Sequence, residues 1–142
     1  MGTVLGFALL ALPNQDTAVR DEARRFAQNM QSAHDAAQSL NREFGVFINR
    51  EEYVVTVYLP TERKWVAYED DKSLSQSWRS GITATLTTDN NDASVTNDTP
   101  QPQILLSSSG EADVYQLTLS KDNSRWQVRG DGFGRVTVEP VP

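Results

Sequence analysis

One apolar stripe near the start of the chain constrains its fold more than anything that follows. Val19, Ala23, Phe26, Met30, Ala33, Ala37, Leu40 and Phe44 recur at alternating steps of four and three. That spacing sets them on one face of a single helix, close to the repeat of a packed helix seam. Asp16 or Thr17 can cap its free backbone donors, and Asp21 and Glu22 suit the positive end of the macrodipole. Gly45 stands where a glycine commonly closes a helix, which implies a rod over residues 16–44 and roughly 40 Å long. The other face carries Arg20, Arg24, Gln28, Gln31, Asp35, Gln38 and Arg42, a solvated surface. A one-sided helix needs one partner surface, and the sheet encoded downstream is the nearest.

After Phe44 the apolar period drops to two. Val46 to Ile48 and Tyr53 to Leu59 read as strands joined by the polar turn Asn49-Arg50-Glu51-Glu52. Pro60 to Arg63 turns the chain again into Lys64 to Tyr68, completing a three-stranded meander. Glu69 to Ser80 is polar and irregular, with Leu74 and Trp78 pinning it to the body. Gly81 to Thr88 alternates with Ile82, Ala84 and Leu86 inward, and Asp89 to Gln103 has no apolar pattern. Ile104 to Leu106, Val114 to Leu119, Trp126 to Val128 and Arg135 to Val138 supply further strands. The fold class is therefore α+β: one long N-terminal helix on an antiparallel body of about seven or eight strands, in one sheet or two.

Bulk properties narrow the function. A formal charge of -6 over 142 residues repels phosphate backbones, so nucleic acid is an improbable partner. With no cysteine, disulfides, thiol catalysis and cysteine-ligated zinc are excluded. The length suits one domain, expected over residues 14–142, with the β body over about 45–139. Residues 1–13 stand apart. Val4 to Leu12 is an apolar run ended by Pro13, shorter than the ~20 residues that cross a bilayer and without the basic start of a secretory signal. It reads as an element docked on the core or as the stub of a trimmed membrane helix, and the second is favoured.

No reaction centre emerges. The acidic residues Glu51-Glu52, Glu69-Asp70-Asp71, Asp89 and Asp92 fall in turns or on polar faces, where solvated charge is the ordinary explanation. His34, the only histidine, has Met30, Gln31, Ala37 and Gln38 at helical spacing and no nucleophile among them. It reads as a helix-flank residue whose loss leaves stability nearly intact. Ser107-Ser108-Ser109-Gly110 lacks the strand–elbow–helix setting of a nucleophile turn. Asp89-Asn90-Asn91-Asp92 has calcium-like oxygen chemistry but neither the spacing nor the closing glutamate of a calcium loop. Gly130 to Gly134 lies between strands and reads as a hairpin turn, not a phosphate loop. Catalytic, cofactor-binding and metal-binding residues are all expected to be absent.

Three features together resemble the H-type minor pseudopilins of type II secretion, relatives of the FimT-like pilins. They are the helix through Asp21-Glu22-Ala23-Arg24-Arg25-Phe26 to Glu43-Phe44-Gly45-Val46, and the early strand–turn–strand leading to Trp65. The most specific is the order Ile104-Leu105-Leu106-Ser107-Ser108-Ser109-Gly110-Glu111, Tyr115-Gln116-Leu117-Thr118-Leu119, then Arg125-Trp126-Gln127-Val128. The likeness covers residues 16–138. A family member begins with a basic leader, Gly-Phe, and a glutamate at the fifth mature position. Here Gly6-Phe7 is followed by Ala11 at that position.

The resemblance implies a pilin-like fold and a structural role with no cofactor, no active site and no small-molecule substrate. It implies a single-pass inner-membrane protein with its bulk in the periplasm. Its partners would be the major and minor pseudopilins of a short fibre, at whose tip it helps drive folded proteins across the outer membrane. Ala23, Phe26, Met30, Ala33, Ala37, Leu40 and Phe44 would then be buried against the sheet. Val4, Phe7, Leu9, Leu10, Leu12 and Val19 would face neighbouring subunits or lipid. The loops Glu69 to Ser80 and Asp89 to Gln103 would be open to partners. The alternatives are a FimT-like minor pilin of a type IV pilus and a small periplasmic binding module or hydrolase. DNA binding by a basic tail suits this chain poorly, because Arg135 to Pro142 carries one charge of each sign.

Overall fold

A computed structural model of the chain describes residues 15–88 and 101–142. One helix, α1 (Gln15–Leu40), precedes β1 (Phe44–Ile48), β2 (Glu52–Leu59) and β3 (Lys64–Ala67). A 3-10 turn at Lys72–Leu74 leads to β4 (Gln76–Ser77) and β5 (Thr83–Thr88), and β6 (Ile104–Leu106), β7 (Val114–Lys121), β8 (Ser124–Asp131) and β9 (Val136–Pro140) follow. Among the described residues the strands form two antiparallel sheets. The first runs β3-β2-β1-β6, with β4 also paired to β2, and the second runs β5-β7-β8-β9. The helix lies across the second sheet, mainly over β8, β9 and β7, and its flank meets β1, β6 and the 3-10 turn.

The stripe packs as an amphipathic helix should. Val19, Ala23, Phe26, Met30, Ala33 and Ala37 are buried together with Val46, Ile48, Val55, Leu117, Leu119 and Val128. Phe26 sits where helix and both sheets converge. Its ring meets Tyr53 edge-on at 4.9 Å, Trp78 at 5.8 Å and Tyr115 edge-on at 6.4 Å. Aromatic edges of this kind add to the area that each ring removes from water.

Several expectations require correction. The helix ends at Leu40, not near Glu43. Asn41 takes a left-handed φ of 53°, its N–H donates to the Gln38 carbonyl at 3.3 Å, and the Arg42 N–H donates to Ala37 at 3.0 Å. This is a Schellman closure, and asparagine tolerates the backbone it needs. Gly45 lies instead inside β1, where an added Cβ would stand 2.6 Å from Pro102 and 3.2 Å from the Trp65 ring. Phe44 accordingly joins the core from a strand.

Leu40 is not core: it is 46% exposed. A four–three spacing drifts around a helix of 3.6 residues per turn. By its last residue the stripe has rotated away from the sheet. Val19, expected to face outward, is fully buried, because the first turns of α1 already lie on β8. Strand β4 was not expected at all. Its two residues pair with Glu52 and Tyr53 and carry no apolar alternation.

Candidate functional site

Side chains from α1 bind the β body at three points along its length. At the amino end, Ser124 Oγ–H and Trp126 Nε1–H both donate to Asp16 Oδ1 at 2.9 Å. These bonds hold the Asp16 carboxyl below the usual range, the indole having the larger influence and the hydroxyl the next. Asp16 therefore acts across 108 residues of sequence, where the sequence suggested only a local cap.

The second point is a buried charge. Glu22 is fully enclosed and accepts from the Arg25 guanidinium. Its other oxygen accepts the Arg79 N–H at 2.9 Å, with Arg79 Nε 3.7 Å away. Arg25 also donates to the Ser77 carbonyl at 3.0 Å and to Gln76 Oε1 at 3.3 Å. One turn on, Asn29 donates to the Tyr53 hydroxyl at 2.8 Å and to the Ser73 carbonyl at 3.4 Å. Three polar residues thus tie the 73–79 segment to the helix, although Glu69 to Ser73 stays exposed. The sequence assigned Glu22 to the macrodipole and left the segment open to partners. Polar ties of this kind leave no periodic signal.

The third point is His34, which is 6% exposed and so not the helix-flank residue expected. Its Nε2–H donates to the Gly110 carbonyl at 2.8 Å. Gly134, with a φ of 90°, packs so closely that an added Cβ would fall within the imidazole. His34 Nδ1 and the Tyr115 hydroxyl are buried without hydrogen-bond partners among the described residues, with Asp35 Oδ1 3.8 Å from His34 Nδ1. Both line a cavity about the size of one water, with Met30, Leu106 and Val136. The ring is held by backbone, and the Asp113 and Asp131 carboxylates that also line the space accept backbone N–H groups of Leu105, Phe133 and Arg135.

The remaining notable feature is a surface. Phe133 is 80% exposed, and Leu105 and Val114 are 45% and 42% exposed. They lie at the end of the body where His34 meets Gly110 and Gly134, far from Asp16. The turn reading of Gly130 to Gly134 concealed the aromatic residue at its centre. Val4, Phe7, Leu9, Leu10 and Leu12, and the Asp89 to Asp92 string, lie outside the described residues. No helix among the described residues is long and apolar enough to cross a membrane.

Comparison with known proteins agrees with this architecture. The Type II secretion system protein H of Pseudomonas aeruginosa PAO1 is 26% identical over 150 residues, covering 98% of this chain and 87% of that protein. The crystal structure of EpsH, a minor pseudopilin from the type II secretion system of Vibrio cholerae, superposes with a TM-score of 0.75 at 18% identity. That match covers 91% of this chain and 99% of EpsH. The solution structure of Escherichia coli GspH gives 0.70 at 17% identity, covering 88% and 89%. At these identities the two structures establish the fold. Residues 22–134 match the family model described as Type II transport protein GspH, and the chain belongs to that family, the minor pseudopilins of type II secretion.

Proposed function

We propose that this chain is a non-enzymatic subunit at the tip of a type II secretion pseudopilus, where it supports export of folded proteins across the outer membrane. The observation that carries the reading is the saturation of α1 by its own body. From Val19 to Ala37 the apolar stripe is buried within the chain, and the amino end of the rod reaches one end of the body at Asp16. A subunit built this way can offer a membrane-anchored, fibre-forming segment on one side and a preassembled head on the other. In the native protein the head would face the periplasm, and Val4, Phe7, Leu9, Leu10 and Leu12 would belong to the inserting segment. The fixed His34 ring and the enclosed Glu22 carboxylate support a scaffold role, since each is held by backbone donors or acceptors and ion partners.

Complementation tests this directly. A host strain lacking the gene should retain its secreted proteins in the periplasm, and the intact gene should restore them to the medium. Normal export in the deleted strain would remove the proposal.

A further inference from the structure

We propose that Phe133, with Leu105 and Val114 beside it, is the anchor by which this subunit grips a different pseudopilin, one with an apolar pocket rimmed by Lys or Arg. The inference rests on the assembly reading above and adds a surface and a partner chemistry to it. Leu105 and Val114 adjoin through Asp113, whose N–H donates to the Leu105 carbonyl at 2.9 Å and whose Oδ2 accepts the Leu105 N–H at 2.8 Å. Val114 faces Asp131 in the β7–β8 ladder. Its Cγ2 lies 3.2 Å from where a Cβ on Gly132 would stand, next to Phe133. The three side chains therefore share one end of the body, the end fastened by His34, about 27 Å along the helix axis from Asp16.

Phe133 is also held in place. Asp131 Oδ1 accepts the N–H groups of Phe133 at 2.8 Å and Arg135 at 3.1 Å. The Asp131 N–H closes the turn on the Arg135 carbonyl at 3.2 Å, and Gly134 rests on the His34 ring. A large aromatic displayed on a braced turn loses little freedom on binding, the property that makes such residues interface hot spots. Charge selects the occupant. Glu111, Asp113 and Asp131 flank the three residues in sequence, against Arg135 and an Arg129 already paired with Glu139 at 3.5 Å, on a chain of net charge -6. A second copy or an anionic lipid surface would meet repulsion there, whereas a basic-rimmed pocket meets attraction.

The test uses the full native protein in its host, with a photoactivatable benzoylphenylalanine at position 133 and a control at Thr85, exposed on the outer face of β5. The expected result is an adduct at 133, absent at 85, whose second component is another pseudopilin of the same system by mass spectrometry. Phe133→Ser should cut export by about 30-fold, the ratio for loss of one hot spot, with an unchanged melting temperature, and Phe133→Tyr should restore export. Adducts only with a second copy or lipid, no adduct, or full export by Phe133→Ser would each overturn the anchor. Normal export in the gene-deleted strain would instead remove the assembly reading, and the adduct would still judge the anchor.

Discussion

His34 Nε2 donates to the Gly110 carbonyl across 2.8 Å of space and 76 residues of chain. Gly110 lies between β6 of one sheet and β7 of the other, and the same ring packs on Gly134 in the β8–β9 turn. One side chain of α1 therefore joins the far end of the helix to the seam between the sheets and to the turn that displays Phe133. The chain's single histidine is a fastening, with Nε2 carrying the hydrogen that Gly110 accepts.

This fastening predicts a coupled pair of substitutions. His34→Ala should cost about 2–3 kcal/mol, since it removes a buried ring and leaves the Gly110 carbonyl without its donor. Gly134→Ala should also destabilise, through strain at φ 90° and overlap with the ring. In the His34→Ala background much of the overlap disappears, so the double mutant should lose about 1 kcal/mol less than the sum. Urea unfolding of the four proteins reads this out, and strictly additive losses would mean that ring and glycine do not press on each other.

Two ends of the stripe should behave differently. Phe26→Ala deletes a fully buried ring from the junction of helix and both sheets and should cost about 3–5 kcal/mol. Leu40→Ala, at 46% exposure, should stay within about 0.5 kcal/mol. Equal losses in thermal or urea melts would contradict the closure of α1 at Asn41.

The contrast between those two residues shows what can be read from such a chain and what cannot. A helix lying on a sheet must repeat apolar residues at its own period, so Ala23 to Ala37 and the alternation of Val114 to Leu119 were visible. Termini follow other rules. Glycine serves both as a helix stop and as a place of close backbone packing, and the two uses look alike in sequence, so Gly45 was misread while Asn41 closed the helix. The 73–79 segment was illegible because Glu22, Arg25 and Asn29 hold it through backbone groups that every residue possesses. Phe133 was hidden by its glycine neighbours, which announce a turn without saying what it displays.

Glu22 should be the most sensitive polar residue. Removing its carboxylate leaves the Arg79 N–H without its acceptor and two guanidinium groups without their counter-charge. Arg25 and Arg79 retain 34% and 50% of their side-chain exposure, so water recovers part of the loss. Glu22→Ala should cost about 2–3 kcal/mol, toward the lower end for a broken buried pair. Hydrogen exchange should locate the damage, with protection falling first at Trp78 and Ile82. Uniform loss over both sheets would show that Glu22 does not act through this segment.

Asp16 gives the acid side of the stability profile a specific origin. Its folded-state pKa is depressed by the indole and hydroxyl donors, so its contribution is present above the unfolded-state pKa. That contribution is lost as pH falls through the folded-state value. Asp16→Asn keeps an acceptor but cannot titrate. The stability gap between the native protein and Asp16→Asn should be widest near neutrality and close as pH drops below the usual carboxylate range. A gap independent of pH would mean that the bonds to Ser124 and Trp126 do not depend on charge.

Tyr115 predicts the opposite of the usual core substitution. Its ring packs edge-on to Phe26, while its hydroxyl is buried without a partner among the described residues and burial pushes its pKa well above the usual range. Tyr115→Phe keeps the ring and removes the stranded hydroxyl, so stability at neutral pH should stay level or rise by about 1 kcal/mol. A raised folded-state pKa contributes stability below the unfolded value of about 10 and loses it as pH climbs toward the folded one. The phenylalanine variant should therefore lose less stability than the native protein between about pH 10 and 12. Urea unfolding at neutral and alkaline pH checks both statements. A neutral-pH loss above about 1 kcal/mol would show that the hydroxyl has a partner after all, and a water in the cavity between it and His34 Nδ1 would be the first to examine.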